Sequence, residues 1–399
     1  MKTIRCLLLC VAVGSTAHAT DSAFSTPNQQ LATPTPNALV IPSAPAGVAF
    51  GYQFGCITFK DGSAKCWGEN KFGQLGLGHA PKDNSYEFVT SPTKVALPRG
   101  ASIAQLALND DSACALFSDK IIRCWGNVYG IPSDGTVVAH PTLKDINDPV
   151  EIVGAHKTYC VRRASGAVRC LGSTEGGSLS WDPKTIAVTN VKGISPGDRH
   201  SCVVHDDKAV SCWGSNVDGQ LGIEMKDYQD SQKNHPPKKV PGIANIKAVA
   251  AGTKHTCALR TNGTVICWGA SEYNQAGDKP DYTWNCANGY PCKTAFREIG
   301  ITDVEQIATS YSNTCARLKN GSVRCWGGSG NWGVGKNGPH GMAPSSVLGI
   351  SSASVVSGGD VDGFCSVGSA QVWCWGASKL YAYANGGGPQ ALSPIKLPF

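Results

Sequence analysis

Cys257-Ala-Leu-Arg-Thr-Asn262-Gly263-Thr-Val-Ile-Cys267-Trp268-Gly269 is the stretch that decides the fold of this 399-residue chain. Two β-prone runs flank Asn-Gly, a strong short-range hairpin signal. If Thr261, Asn262 and Gly263 form a three-residue loop with Gly263 left-handed, Arg260 faces Thr264 and Cys257 lies opposite Cys267. Opposed residues on antiparallel strands have Cα atoms about 4.5 to 5.5 Å apart, a separation a disulfide spans. The register therefore predicts a staple across the hairpin.

The design recurs down the chain as Cys56/Cys66, Cys114/Cys124, Cys160/Cys170, Cys202/Cys212, Cys257/Cys267, Cys315/Cys325 and Cys365/Cys374. Six pairs are ten positions apart and the last nine, and successive pairs start 42 to 58 residues from each other, the period range of propellers. Asp61-Gly62 and Asn320-Gly321 repeat the turn, and Ser165-Gly166 is a weaker version. Each bond closes a short loop and stabilises by roughly 2 to 3 kcal/mol in the chain-entropy account. Zinc would need four ligands converging on one point, usually with close Cys-x-x-Cys spacing, which these pairs do not offer. Neither a metal nor a cofactor is expected.

Trp-Gly follows the second cysteine in six units, at Trp67, Trp125, Trp213, Trp268, Trp326 and Trp375, whereas Leu171 takes its place in the third. A tryptophan stripe resembles a sugar-binding ladder, but its fixed place beside each staple favours packing between neighbouring units. The glycine then reads as the chain's exit from the strand. An apolar strand ending in small residues precedes each hairpin, as in Ala248-Val-Ala-Ala-Gly252, and a Pro-led strand suited to a sheet edge follows, as in Ser91-Pro-Thr-Lys-Val-Ala-Leu97. Four strands in each of seven units give an all-β, seven-bladed β-propeller.

The frame ending in His255-Thr-Cys-Ala-Leu, the Asn262-Gly263 turn, Trp268-Gly269, and the segments Gly73-Gln74-Leu75-Gly76 and Gly219-Gln220-Leu221-Gly222 resemble the regulator of chromosome condensation repeat. The resemblance covers nearly all of residues 47–399, and the chain departs from the nuclear prototype by adding a cysteine to both hairpin strands. It implies a seven-bladed propeller in the superfamily that holds an exchange factor for a small GTPase, secreted propellers that inhibit β-lactamases, and many repeat scaffolds. Fold therefore does not choose the function.

The N-terminus reads as a cleavable secretory signal over residues 1–19: Lys2 and Arg5, the apolar run Leu7 to Val13, then Ala17-His18-Ala19. Its removal takes Cys6 and Cys10 and two of the 35 basic residues, leaving 16 cysteines and a formal charge of +4. An even cysteine count in an exported chain indicates disulfides, and a small scattered charge gives no case for nucleic acid. No segment is long enough to insert in a membrane. Residues 20–46, rich in proline, read as a leader whose part Asn37 to Ile41 resembles the Pro-led fourth strand, as does Ser393 to Leu397. That makes eight such segments for seven places.

Enzyme motifs are weak. Gly330 to Asn337 nearly spells a phosphate-binding loop and Gly333 to Gly338 a dinucleotide fingerprint, but both need a following helix and both fall in a repeat loop. His200 and His255, two residues before the first cysteine of their units, are expected to make structural hydrogen bonds, since Ser112, Thr158 and Asn313 serve elsewhere. No nucleophile and base pair is identifiable, so no catalytic residue is assigned.

Function in a propeller usually lies in what interrupts the repeat. The unit-five insertion, Tyr273 to Phe296, brings together Tyr273, Tyr282, Trp284, Tyr290 and Phe296 with a short staple Cys286/Cys292, and Trp332 lies in unit six. Solvent-facing aromatics on a preorganised loop suit a binding surface. The expected function is a secreted or periplasmic, monomeric, non-enzymatic module that binds a protein partner. A lectin-like glycan-binding module is the alternative. Guanine-nucleotide exchange fits poorly, because export and disulfides place the chain where no such GTPase would meet it.

Overall fold

The computed structural model describes residues 43–82, 85–128, 135–139, 143, 146–172, 180–224, 233–277, 292–328, 341–359, 363–376 and 391–399. Ser43–Phe399 form one unit in which, among the described residues, 28 strands make seven four-stranded antiparallel sheets, each in simple chain order. Blade five is typical, with strands Ile246–Ala251, His255–Arg260, Val265–Ala270 and Cys292–Glu298. The first strand of the ring starts at Pro45, two residues ahead of the boundary expected at 47.

The hairpin register is as the sequence predicts. Cys257 opposes Cys267, Arg260 N–H donates to the Thr264 carbonyl, and Gly263 N–H to that of Arg260. Gly263 is left-handed with φ 84°, and Asn262 Oδ1 accepts from Thr264 N–H and Oγ1–H. All seven hairpin disulfides form. They join Cys56 to Cys66, Cys114 to Cys124, Cys160 to Cys170 and Cys202 to Cys212 in blades one to four. Cys257 joins Cys267, Cys315 joins Cys325 and Cys365 joins Cys374 in blades five to seven.

The separation across the bridges is corrected. Cα atoms of the bonded cysteines stand 4.0 to 4.2 Å apart, with Cys114 and Cys124 at 4.0 Å and Cys315 and Cys325 at 4.1 Å. That is closer than the expected 4.5 to 5.5 Å or so for opposed strand residues. Counting back from the bonded pair Arg260/Thr264 puts the cysteines at a non-hydrogen-bonded site, where opposed strands approach most closely, and the bridge draws them nearer still. The nine-residue spacing of Cys365 and Cys374 reflects a two-residue turn, Ser369-Ala370, with both residues left-handed. Cys286 lies outside the described residues, so the pair Cys286/Cys292 does too.

The tryptophans pack between blades. Trp268 lies over the Cys202–Cys212 bridge of the preceding blade with Leu221, Trp125 over Cys56–Cys66 with Leu75, and Trp213 over Cys160–Cys170. Trp326 meets Cys257 and Cys267, and Trp375 meets Cys315 and Cys325 together with Phe364. In blade three, which lacks the tryptophan, Leu171 and Tyr159 cover Cys114 and Cys124 instead. Each bridge thus ties its own blade and offers a wall to the next. Trp67 covers Cys365 and Cys374 of blade seven, which closes the ring together with Phe59 against Phe399 at 5.7 Å. Blade seven uses only its own strands, Ser393 to Lys396 lying in its fourth. All seven fourth places are filled from within their units; Asn37 to Ile41 falls outside the described residues.

The glycine after the tryptophan ends the third strand in blades two, six and seven, at Gly126, Gly327 and Gly376, as expected. In blades one, four and five the strand instead runs one residue further, and Gly269 of blade five pairs with His255 on one side and Lys293 on the other. The register skips between Cys267 and Gly269, and the strand runs on through a bulge to Ala270.

The blade-to-blade polar links have a repeat logic. Trp125 Nε1–H donates to the Gln74 carbonyl at 2.9 Å and Trp268 Nε1–H to that of Gln220 at 2.9 Å. Trp326 Nε1–H does the same to Gln275 at 3.2 Å, which identifies Asn274-Gln275-Ala276-Gly277 as a variant of Gly-Gln-Leu-Gly. At Gly222 an added Cβ would stand 2.8 Å from Trp268 Nε1, so the loop closes on the ring only without a side chain there. Gln306 takes Val356 of the next blade by both N–H and C=O, at 3.0 and 2.9 Å.

The histidines are structural. Thr256 Oγ1–H donates to the Gln220 carbonyl, so it accepts from His200 Nε2–H at 2.8 Å; His255 and Thr314 repeat the contact at 2.9 Å. Burial pushes both imidazoles down to about 3, which keeps them neutral. No helix among the described residues is long and apolar enough to cross a membrane.

Candidate binding face at the channel mouth

The first strands of the blades converge on the ring axis and enclose a cavity of about 340 Å³, lined by Phe50, Gly154, Gly197, Gly252, Ser310 and Gly359 among others. At one mouth stand the turns between first and second strands. In each described turn the fourth residue ahead of the first cysteine stands at this end, as Tyr52, Asp110, His156, Asp198, Thr253 and Tyr311, and the last three line the cavity. Backbone geometry puts the connections between third and fourth strands at the same end, and the hairpin turns at the other.

Tyr52 and Tyr311 are half exposed. His156 joins three blades, with Nδ1 3.0 Å from Asp110 and Nε2 3.2 Å from Asp198, while Asp110 N–H donates to the His156 carbonyl. Beside them Asp111 is held above the usual carboxylate range by burial and then by Asp110, and Glu69 by burial and then by Asp111. Asp218 is raised by burial. Lys254 pairs with Glu272 at 3.7 Å. The mouth is thus a ring of charges and aromatics on short turns fixed by paired strands. No group of three or more metal-ligating side chains occurs among the described residues.

Of the residues expected to bind, Tyr282, Trp284, Tyr290 and Trp332 lie outside the described residues. Tyr273 belongs to the repeat loop, its N–H donating to Gln275 Oε1 at 2.8 Å, so the interruption of the repeat begins beyond Gly277. Phe296 does not face solvent as expected. It lies in the fourth strand of blade five and meets the Trp268 ring edge-on at 5.2 Å, because the outer strand closes over the tryptophan. The mouth residues are the ones that sequence reasoning passed over, although their place four residues ahead of each first cysteine was readable.

The repeat described as "Regulator of chromosome condensation (RCC1) repeat" matches residues 46–74, 191–220, 246–275 and 304–331, and a second description of the same repeat matches 61–116 and 209–259. The chain is a propeller of regulator of chromosome condensation repeats. This repeat protein is 25% identical over 250 residues to Protein pim1 of Schizosaccharomyces pombe, a match covering 58% of this chain and 46% of that one. It is 24% identical over 287 residues to the guanine nucleotide exchange factor SRM1 of Saccharomyces cerevisiae, covering 62% and 59%. The matches thus span about half the length of these relatives. The solved structure of Prp20p from Saccharomyces cerevisiae superposes with a TM-score of 0.68 at 22% identity, covering 79% of this repeat protein and 80% of Prp20p, which establishes the shared fold.

Proposed function

We propose that the chain is an exported, non-enzymatic binding module that recognises a protein partner through the face bearing the channel mouth. The observation that carries this reading is the ring of Tyr52, Asp110, His156, Asp198 and Tyr311 on the turns at one mouth, where two half-exposed tyrosines flank an Asp110–His156–Asp198 cluster that holds three blades together. Half-exposed tyrosines beside part-buried charges on a preorganised scaffold suit protein recognition. The seven hairpin bridges and the signal-like residues 1–19 support an oxidising compartment outside the cytoplasm. The solved relative Prp20p is described with binding properties to Gsp1p and histones, and protein binding is the trait carried over here.

The test is affinity capture by the oxidised protein from the exported fraction of its host, repeated with a Tyr52→Ala, Tyr311→Ala variant. A partner retained by the wild type and lost by the variant supports the reading. Release by simple sugars and insensitivity to salt would favour glycan binding instead. Exchange activity is favoured by the name of SRM1 and is tested directly by nucleotide release from a candidate GTPase, which the proposed function predicts will not be accelerated.

A further inference from the structure

Asp218 is a buried carboxylate that its own fold leaves incomplete. It sits in the Asn216–Gly222 loop of blade four, where its backbone N–H is held by Gln220 Oε1 at 2.9 Å and Asn216 Oδ1 accepts from Leu221 N–H. The residue is 5% exposed, and Oδ1 has no hydrogen-bond partner. A buried carboxylate oxygen without a partner is costly, and natural structures place such groups where something else completes them.

The cavity beside it, about 300 Å³, is lined by Asp198, Arg199, Asp218, Thr253, Lys254 and Tyr311 on the mouth face. Its cations are already engaged: Arg199 lies 3.9 Å from Asp198, and Lys254 3.7 Å from Glu272, whereas Asp198 also meets His156. Arg199 is thus drawn to Asp198 and Lys254 to Glu272 outside the lining, so among the described residues no ion pair of 4 Å or less reaches Asp218, and its charge is the one left without a close partner. An anionic ligand would meet that charge. The volume is at the lower end for ligand pockets and suits a single side chain. Tyr311, half exposed at the rim, offers a ring face to an aliphatic stem or a cation.

We propose that this pocket receives the cationic head of a lysine or arginine side chain from the protein partner, with Asp218 as its counter-charge and Tyr311 against its stem. The proposal rests on the protein-binding reading and names the chemistry of one anchor. Burial raises the Asp218 carboxyl, partly offset by Lys254 and Arg199 and reinforced by Glu272, so binding weakens as acid protonates it.

The probes are Nα-acetyl-lysine methylamide and its arginine counterpart, with the uncharged norleucine compound as control, titrated into the oxidised protein and followed by ligand-observed NMR. The cationic probes are expected to bind saturably and the norleucine control about tenfold more weakly or worse, the value of one charge-assisted hydrogen bond. Asp218→Asn is expected to remove that preference, and Tyr311→Ala to weaken the cationic probes severalfold with an unchanged melting profile. Should Asp218→Asn not fold, the probe ratio, the Tyr311→Ala variant and the pH series carry the test on folded protein. Equal binding of lysine and norleucine probes, or cation binding unaffected by Asp218→Asn, overturns the assignment even where a partner is captured. A cation preference lost in Asp218→Asn upholds it even where capture yields no protein and the wider reading fails.

Discussion

Replacing Trp268 and Trp213 separately by phenylalanine isolates the blade-to-blade hydrogen bond. Both rings are buried, at 0% and 1% exposure, and both cover the bridge of the preceding blade. The loss of volume is therefore matched. They differ in the indole N–H, which in Trp268 donates to the Gln220 carbonyl at 2.9 Å and in Trp213 has no acceptor among the described residues. Trp268→Phe forfeits a buried hydrogen bond worth about 1 kcal/mol, whereas Trp213→Phe removes an unsatisfied buried donor and recovers about 1 kcal/mol or more. Trp268→Phe should accordingly be the more destabilising by about 2 kcal/mol, read from guanidinium unfolding of the oxidised proteins by far-UV circular dichroism. Equal costs, or a greater cost at Trp213, would refute the claim that these loop carbonyls latch one blade to the next.

Lys120 and Lys208 occupy the left-handed turn position that Gly263 fills in blade five, with φ of 65° and 63°, so either lysine replaced by glycine should stabilise by about 0.5 to 1 kcal/mol in the same assay. His200 and His255 have folded pKa values depressed to about 3, below their ordinary 6.5. The unfolded chain therefore binds more protons between those limits, and stability should fall as pH drops from about 6.5, by roughly 2 kcal/mol per histidine at pH 5. Unfolding midpoints of the wild type and of His200→Gln, His255→Gln across that range check it, the variant losing the slope. Replacing Cys257 and Cys267 together by alanine should cost about 2 to 3 kcal/mol, and more if the packing of Trp326 over the bridge is also lost.

The architecture was legible because its devices are local and repeated. Asn262-Gly263 set the register, the register set Cys257 against Cys267, and seven copies set the blade count. Less legible was what joins one blade to the next. The acceptor for Trp268 is the Gln220 main-chain carbonyl, which any residue carries, so composition could not single it out. Asn274-Gln275-Ala276-Gly277 escaped notice because asparagine replaces the first glycine, adopting φ 61° itself. Phe296 was misplaced because a length excess was read as one continuous interruption, whereas its last part is the outer strand that every blade requires. The mouth ring was missed for another reason: Tyr52, Asp110, His156, Asp198, Thr253 and Tyr311 share a position that holds four residue types, and a search for one repeated letter passes over a place that varies.

The measurement that tests the central claim most directly is hydrogen–deuterium exchange of the oxidised protein alone and with its captured partner. Binding through the mouth predicts added protection at the turns around residues 52–53, 110–111, 156–157, 198–199, 253–254 and 310–312, with the hairpin turns around 60–63, 118–121, 164–167, 206–209, 261–264 and 319–322 unchanged. Protection confined to those hairpin turns, or none at the mouth in a complex that demonstrably forms, would contradict it.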